Sequence, residues 1–310
     1  MQRPITHLRH IALAVPDLAV TLAFYRDVWG LTVVASDAGV AYLAAAGSPE
    51  PYVLRLREAE AKRVDVIAFG ATDRLAVDAL AAALGSSGVQ IVAEPAELHT
   101  PGGGYGFRFF DNEGRTVEVS CDVATPMRDS DSRPAVPVAL SHVVLNTPNP
   151  EETVAFWETH LGFTVSDVLT MPHMGRLMWF MRCNNWHHSV AFVRCSHASL
   201  HHASYEMRSI DEYMYATGRA KRSGAELVWG PGRHLAGDNT FSYFLDPDGN
   251  TAEFTTALAE VDDDTWESHE YSIADPSVAD QWGTAEAMSA ELAAKSFNTP
   301  DAGLFSAPPV

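Results

Sequence analysis

The chain has 310 residues, of which 46% are hydrophobic and 20% charged, and its formal net charge is −19 at pH 7. This composition is typical of a globular protein, and the length predicts two domains or one duplicated domain. The acidic balance argues against a nucleic-acid or anionic-membrane partner, because both need clustered Lys and Arg. The 3 cysteines form no disulfide framework, and no apolar run approaches a membrane span or signal segment, so we expect a cytoplasmic protein.

The sequence repeats itself. The stretch HLRHIALAVPDLAVTLAFYRDVWGLTVV near the start matches ALSHVVLNTPNPEETVAFWETHLGFTVS from Ala139. Each copy is typical of a strand with one His, a Pro-containing turn, an amphipathic helix that ends at Gly, and a β-branched strand. Later in each half, FRFFDNEGRTVEVS from Phe107 matches FSYFLDPDGNTAEFTT from Phe241. The chain is therefore predicted to consist of two similar halves.

Each half contains a second unit of the same kind. A predicted strand at 63–69 precedes a helix at 72–84, and a strand at 200–207 precedes a helix at 209–223. The predicted fold class is α+β, with four βαβββ modules paired into two half-open barrel domains. The predicted domains are 1–128 and 138–260, separated by a linker rich in Pro, Ser and Asp. Residues 261–310 form a C-terminal tail that contains Trp266, His269 and Trp282.

Histidines cluster on the predicted strands of the second half. The stretch CNNWHHSVAFVRCSHASLHHASYEM, from Cys183 to Met207, holds two adjacent His pairs. Because side chains alternate along a strand, His201 and His202 face opposite sides of the sheet. One of them is expected to face the interior of the barrel, and the spacing does not say which.

Two imidazoles and one carboxylate from three strands can converge on one metal ion. His142 lies on ALSHVVLN, His201 and His202 on LHHASYEM, and Glu253 between two threonines on NTAEFTT. Such a set leaves open positions on a non-haem Fe(II) ion. Taken singly, His142 equally fits a hydrogen-bonded strand residue and Glu253 a surface residue, so only their joint pattern indicates a metal site.

From about Leu8 to Ala257 the chain resembles the two-domain extradiol ring-cleavage dioxygenases of the vicinal oxygen chelate superfamily. The resemblance rests, in this order, on SHVVLN, CNNWHHSVAF, LHHASYEM, GPGRH followed nine residues later by Tyr243, and FLDPDGNTAEF. It implies the vicinal oxygen chelate fold, with a non-catalytic N-terminal domain and a catalytic, metal-binding C-terminal domain. It also implies extradiol cleavage of a catechol-type diol by O₂ to a hydroxymuconic-semialdehyde type of product, in aromatic compound degradation.

The resemblance assigns roles to the matching positions. It implies Fe(II), with Mn(II) as the alternative, and O₂ as co-substrate. The implied metal ligands are His142, His202 and Glu253, and the implied catalytic residues are an acid–base His188 with His234 and Tyr243 beside the substrate. His187 and His201 then have structural or supporting roles. The candidate pocket residues, which predict a largely apolar pocket for an aromatic diol, are Trp179, Phe180, Asn185, Trp186, Trp229 and Asp238.

The first half keeps only part of this set. It has His10 and Glu118, but its strand RVDVIAFG carries Asp65 and Val66 where LHHASYEM carries two histidines. A divalent ion there would lack an imidazole and lie beside a valine, so we expect no metal in the first half. Its expected role is to pack against the second half.

Two other functions within the same superfamily stay open. One is a metal-dependent isomerase or epimerase of the glyoxalase type, and the other is a metal-free small-molecule binding protein. The isomerases usually draw four ligands from two modules, whereas three are assigned here, and His188, His234 and Tyr243 have a role only in ring cleavage. By analogy with the dioxygenases, a homo-oligomer is expected.

Overall fold

The computed structural model of the protein describes residues 3–126, 133–287 and 289–309. The domain boundary predicted at residue 128 lies outside the described residues. The first half forms a sheet of eight strands, and the second half with part of the tail forms a sheet of nine. Among the described helices, none combines the length and hydrophobicity that crossing a membrane would need.

In the first sheet the strand order is β2-β3-β4-β1-β5-β8-β7-β6. The first strands of its two modules, β1 and β5, pair antiparallel at the centre, and each pairs in parallel with the last strand of its own module. Its helices are α1 (Leu18–Ala23), which continues as a π-helical segment at Phe24–Trp29, and α2 (Arg74–Ser86). Its strands are β1 (Ile5–Val15), β2 (Thr32–Asp37), β3 (Val40–Ala44), β4 (Leu54–Glu58), β5 (Arg63–Ala71), β6 (Ile91–Glu97), β7 (Tyr105–Phe110) and β8 (Thr116–Cys121).

The second sheet repeats this plan in the order β14-β15-β16-β13-β9-β12-β11-β10-β17. Here β9 and β13 pair antiparallel at the centre. The helices of this half are α3 (Pro150–Leu161) and α4 (Ile210–Arg222). The strands are β9 (Ala139–Thr147), β10 (Thr164–Met171), β11 (Gly175–Arg182), β12 (Val190–Arg194), β13 (Ser199–Glu206), β14 (Leu227–Arg233), β15 (Thr240–Leu245), β16 (Thr251–Thr255) and β17 (His269–Ser272).

The predicted α+β class with four βαβββ modules is confirmed by this element order. Local sequence explains where the helices begin and end. The Ser209 hydroxyl accepts the backbone N–H of Glu212 at 3.2 Å and caps α4. The two glycines that the repeat places after the first helix of each half, Gly30 and Gly162, have φ values of 97° and 72°. Both therefore adopt the left-handed conformation that ends a helix and that glycine adopts without strain.

The first helical segment of each half packs against the sheet of the other half. Trp29 stacks on Phe254 of β16 with ring centroids 3.7 Å apart. Reciprocally, Trp157 of α3 lies edge-on to Phe69 of β5 at 5.6 Å. Both tryptophans are fully buried in one continuous core that spans the two sheets. The two halves are thus held together by exchanged aromatic contacts, mainly through burial of apolar surface.

Trp29→Ala is expected to lower the free energy of unfolding by about 3–5 kcal/mol, because it removes a fully buried aromatic ring and leaves a cavity between the halves. The midpoint and slope of urea unfolding measure this loss. Leu75→Ala is the control, since Leu75 is 79% exposed and its truncation is expected to change stability by no more than about 0.5 kcal/mol. Equal losses for the two variants would contradict the assigned packing.

The tail contains β17, two short helices, α5 (Pro276–Ala279) and α6 (Ala290–Phe297), and a final stretch with a turn at 302–305. Strand β17 pairs in parallel with β10 and extends the second sheet. Further on, the Asp301 carboxylate accepts the backbone N–H of Val64 at 3.3 Å, and Phe305 lies on Phe110. The tail therefore contacts the outer edge of the second sheet and also returns to the first half.

Candidate active site

Three adjacent strands of the second sheet bring His142, His202 and Glu253 together. His142 lies opposite Ser204 in the pairing of β9 with β13, and Ser204 lies opposite Glu253 in the pairing of β13 with β16. His202 is two residues before Ser204, so all three side chains project from the same face of the sheet. The potential ligand atoms lie within 4.8 Å of one another, and all three residues are at least 97% buried.

Three polar atoms at the centre of this cluster are buried without a hydrogen-bond partner. Glu253 Oε2 lies 3.0 Å from His142 Nε2 and 3.3 Å from His202 Nε2. These contacts lack hydrogen-bond geometry, and both Glu253 oxygens and His202 Nε2 are buried without a hydrogen-bond partner. Buried polar atoms are normally paired. One imidazole nitrogen and both oxygens of a carboxylate left unpaired, with His142 Nε2 3.0 Å from that carboxylate, fit a divalent transition-metal ion as the missing partner.

The protonation states that the structure favours are those a metal requires. Burial raises the pKa of Glu253, but His142 and His202 beside it outweigh burial, and its pKa lies well below the usual value. Burial lowers the pKa of His202. The carboxylate is therefore ionised and His202 neutral at pH 7, as metal ligation demands.

Each His pair is arranged in the same way, with the first imidazole hydrogen-bonded to the second. His201 Nδ1 lies 2.7 Å from His202 Nδ1, and His187 Nδ1 lies 3.0 Å from His188 Nδ1. A His202 that ligates through Nε2 carries its proton on Nδ1 and donates it to His201, which fixes the orientation of the ligand ring. One imidazole of each pair thus lies in the site, and the other holds it there.

His188 lies directly beside the His-His-Glu cluster without belonging to it. Its ring centroid is 4.2 Å from that of His142 and 4.9 Å from that of Phe180. Burial, and then the neighbouring His142, lower the pKa of His188 well below its ordinary value. A neutral imidazole next to a metal site is suited to accept a proton from a bound substrate.

His234 and Tyr243 form a second hydrogen-bonded pair near the cluster. The Tyr243 hydroxyl lies 3.0 Å from His234 Nε2, and His234 Nδ1 donates to the backbone carbonyl of Ala279 at 2.8 Å. Burial lowers the pKa of His234 to about 4, so the ring is neutral and Nε2 accepts the Tyr243 proton. Tyr243 becomes a donor to a substrate oxygen only when its hydroxyl turns away from His234.

The structure separates the neighbouring pocket candidates Trp179 and Phe180. Because side chains alternate along β11, only Phe180 faces the histidines. Trp179 lies in register with Phe192, and Phe192 contacts Trp157 of α3. The structure therefore brings Phe180 to the site and places Trp179 in the core on the helix-covered face.

The other four pocket candidates lie at different distances from the cluster. Trp229 is buried and stacks on Phe241 at 4.1 Å, with its ring parallel to that of Tyr243 at 5.9 Å. Asp238 is exposed and ion-paired with Arg233 at 2.8 Å. The remaining two, Asn185 and Trp186, are exposed in the loop after β11 and pair with Glu260, just before the tail. Trp229 thus lies beside the site, whereas the other three are surface residues in this structure.

A cleft of about 520 Å³ lies elsewhere on the molecule, lined by residues of both halves that include Arg3, Thr72 and Asp263. None of its lining residues belongs to the histidine cluster. The donor atoms that could bind a metal therefore lie in the cluster and not in this cleft.

The first half uses an arginine where the second half uses a tyrosine. Arg108 lies opposite Glu118 in the pairing of β7 with β8, as Tyr243 lies opposite Glu253 in the pairing of β15 with β16. The Arg108 Nε donates to Glu118 at 2.8 Å in a buried ion pair. The guanidinium thus supplies the positive charge that this buried carboxylate needs.

One of the two imidazole ligand positions of the first half is also changed, while His10 stands at the position of His142. Val66, opposite Ala12 in β1, stands where His202 stands opposite Val144 in the second half. Asp65 is paired with Arg57 at 2.7 Å. Glu118 thus has a built-in cationic partner, and one imidazole position is apolar.

Three residues around the histidines were not predicted from the sequence. Asp167 lies 2.8 Å from His187 Nε2, and the Ala279 carbonyl accepts from His234. Gly237 has φ +81°, and a Cβ there would lie 3.1 Å from His187 Nδ1 and 3.3 Å from His188 Cε1. An acidic residue inside the strand TVSDVLTM was a readable signal for Asp167, whereas a backbone carbonyl leaves no sequence signal.

Comparison with known proteins identifies the family. The Glyoxalase/Bleomycin resistance protein/Dioxygenase superfamily matches residues 7–119 and 139–254, once in each half. The chain belongs to this superfamily. The resemblance on which the fold prediction rested is thereby confirmed, and each superfamily unit coincides with one of the two large sheets.

Individual members of the superfamily match almost the whole chain. Metapyrocatechase 2 from Cupriavidus necator is 28% identical over 88% of each chain. The manganese-dependent 2,3-dihydroxybiphenyl 1,2-dioxygenase of Geobacillus genomosp. 3 is 26% identical over 87% of this chain and 91% of that protein. Among solved structures, an Mn(II)-bound glyoxalase from Novosphingobium aromaticivorans is 42% identical, with a TM-score of 0.89 over 98% of both chains.

Removing a bound metal ion is expected to lower the free energy of unfolding of this protein. His202 Nε2 and both Glu253 oxygens are buried without a partner, and only the folded state brings them together, so a bound cation stabilises the folded state. At about 100 times its dissociation constant, added Mn(II) is expected to raise the free energy of unfolding by about 2.7 kcal/mol over protein treated with EDTA. Urea unfolding with and without the metal measures the difference, and coincident curves would contradict the assigned site.

Proposed function

We propose that the protein is an extradiol dioxygenase, which cleaves the ring of a catechol-type diol beside its two hydroxyl groups and incorporates both atoms of O₂. The observation that carries the proposal is the placement of His188, a neutral imidazole outside the His142–His202–Glu253 set but with its ring 4.2 Å from that of His142. Ring cleavage needs a metal with open positions and a separate acid–base group beside it.

The proposed metal is Fe(II), with Mn(II) as the alternative. Two neutral imidazoles and one carboxylate leave a divalent ion with net charge +1, which favours an anionic catecholate. When bound, the metal supplies one Lewis-acidic, redox-active centre at which the diol and O₂ meet. Names among the relatives specify manganese, and the ligand set accepts either ion.

The chain's own residues handle protons and orientation in this proposal. His188 accepts a proton from a hydroxyl of the diol and returns it later in the reaction. Tyr243, once its hydroxyl turns away from His234, donates a hydrogen bond to the deprotonated ring oxygen. Phe180 lies against the His188 ring and lines this side of the site, and His142, His202 and Glu253 would hold the metal ion.

The proposed substrate is a catechol with an apolar substituent. Support comes from Phe180 and Trp229, the two apolar pocket candidates that lie beside the cluster. The acidic net charge of −19 gives no general attraction for an anionic substrate. The N-terminal domain 1–128, the catalytic domain 138–260 and the tail 261–310, like the homo-oligomer and the cytoplasmic location, stay predictions.

A glyoxalase-type isomerase is the second candidate, favoured by the 42% identity to a protein named glyoxalase. The geometry supports it less well, because three ligands converge here and His188 would have no defined task. A metal-free binding protein fits least, since both Glu253 oxygens and His202 Nε2 would remain unpaired.

One comparison separates these functions. Protein loaded anaerobically with Fe(II), and separately with Mn(II), is given 2,3-dihydroxybiphenyl under air, and O₂ uptake and the yellow ring-opened product are followed. The same preparations are given the hemithioacetal of methylglyoxal and glutathione. Ring cleavage predicts O₂ consumption only with the diol. Isomerisation of the hemithioacetal, with no O₂ uptake over a panel of substituted catechols, would overturn the proposal in favour of the second candidate.

A further inference from the structure

Behind His188 lies a buried chain of hydrogen bonds for which the proposed chemistry gives no reason. His188 Nδ1 lies 3.0 Å from His187 Nδ1, and His187 Nε2 lies 2.8 Å from Asp167 Oδ2. The other carboxylate oxygen of Asp167 accepts the backbone N–H of His269 at 2.8 Å. The three side chains that this series of hydrogen bonds links are at least 98% buried: Asp167, His187 and His188.

The direction of each hydrogen bond follows from the chemistry of its end. A carboxylate only accepts, so His187 Nε2 carries a proton and donates it to Asp167. When His187 carries only this one proton, its Nδ1 is bare and accepts. The shared bond between the two Nδ1 atoms therefore requires His188 to donate from Nδ1, and a neutral His188 has its lone pair on Nε2.

We propose that Asp167 and His187 are positioning residues that hold His188 in the tautomer with its proton on Nδ1, which leaves Nε2 as the proton acceptor. What His188 then does with its lone pair rests on the proposed function, whereas the tautomer itself does not. The reverse tautomer would present an N–H group at Nε2 and could not act as a base.

The C-terminal tail completes this arrangement. Strand β17 pairs with β10 so that His269 stands directly opposite Asp167, and its N–H thereby reaches the carboxylate. Trp266 donates from Nε1 to the Ser166 carbonyl at 2.9 Å, and its ring lies edge-on to His187 at 5.6 Å. Tail residues therefore satisfy the second oxygen of Asp167 and cover the His187 ring.

Asp167→Asn is expected to reverse the donor and acceptor roles in these hydrogen bonds, while the side chain keeps almost the same shape. The N–H of His269 still requires an acceptor, so the amide oxygen occupies the place of Oδ1 and the NH₂ group faces His187. His187 Nε2 must then accept, its Nδ1 must donate, and His188 moves its proton from Nδ1 to Nε2. The substitution thus inverts the tautomer of a residue two hydrogen bonds away.

The tautomer is measured directly on the full-length chain loaded with Zn(II), which avoids paramagnetic broadening. Long-range ¹⁵N–¹H correlation spectra distinguish a protonated from a bare ring nitrogen, and the His188→Gln spectrum identifies the His188 signals. The expected result is a bare Nε2 in the native protein and a protonated Nε2 in Asp167→Asn. A native His188 with a bare Nδ1 would overturn the proposal even if the variant does not fold. That outcome would be independent of whether any catechol is cleaved.

Kinetics give a second readout. A wrong tautomer of a catalytic imidazole lowers kcat by up to about 10⁴-fold in other enzymes. Asp167→Asn is expected to lower kcat by about 10²–10³-fold with little change in KM, and to cost less than about twofold in a His188→Gln background, since both changes remove the same base. Equal losses in both backgrounds would indicate a structural role only.

The matched control is Asp263→Asn. Asp263 is a tail carboxylate paired with Arg3 and Arg182, and it has no contact with the histidine chain. Its kcat and His188 spectrum are expected to equal those of the native protein.

Discussion

Glu253→Gln is expected to remove the metal and with it all measurable activity. Glu253 supplies the only negative charge of the His142–His202–Glu253 cluster, and it is fully buried between the two imidazoles. Removing one partner of a buried charge pair costs about 3–5 kcal/mol, which corresponds to about 10²–10⁴-fold in metal affinity. Metal analysis after gel filtration and titration with Mn(II) measure this loss.

The duplicated architecture offers a matched control in Glu118→Gln. Glu118 occupies the equivalent position in the first half, where Arg108 is its partner. This variant is expected to unfold more easily, because a buried arginine loses its carboxylate, but to keep the metal content of the native protein. Metal loss in Glu118→Gln, or full metal content in Glu253→Gln, would show that the ion is held elsewhere.

His188→Gln is expected to lower kcat by about 10²–10⁴-fold while the metal stays bound, because the imidazole is beside the ligand set and not part of it. Glutamine preserves much of the size of the side chain and does not titrate. Steady-state O₂ uptake with 2,3-dihydroxybiphenyl gives kcat and KM, and metal analysis of the same samples shows whether the site is intact.

The control for this variant is His160→Gln on α3, where the imidazole packs on Phe156 of the same helix. Its kcat is expected to be unchanged. A His188→Gln enzyme that turns over at the native rate across the pH range, with metal retained, would rule out the acid–base role.

Much of the architecture was predictable because the same sequence pattern occurs in both halves of the chain. Periodicity changes from two to 3.6 at the same places in both halves, and Gly30 and Gly162 end equivalent helices. Residue patterns of this kind are local, so they specify strands, helices and turns without knowledge of the partners. The exchange of Trp29 and Trp157 between halves was not predictable, since an apolar helix face does not say which sheet it covers.

The candidate ligands were also readable, because alternation along a strand restricts each polar side chain to one face. Alternation could not choose between His201 and His202, and only the family resemblance pointed to His202. The register of β9, β13 and β16 decides the matter, since it places His142, Ser204 and Glu253 in one row. Register depends on pairing between strands far apart in sequence, which a single sequence does not display.

By itself, the sequence determined the four modules, the second half as the one with a full ligand set, and the residue types that can bind a metal and move protons. Only the tertiary structure decided that Phe180 and not Trp179 reaches the site. It also decided that the Arg108 guanidinium, and not a metal ion, is the partner of Glu118 in the first half. The backbone groups of His269 and Ala279 in the tail, which bond to Asp167 and His234, were likewise visible only in the structure. The reason is physical: composition and periodicity act within a segment, whereas the proton on a histidine nitrogen is placed by whichever distant atom the fold brings within 3 Å.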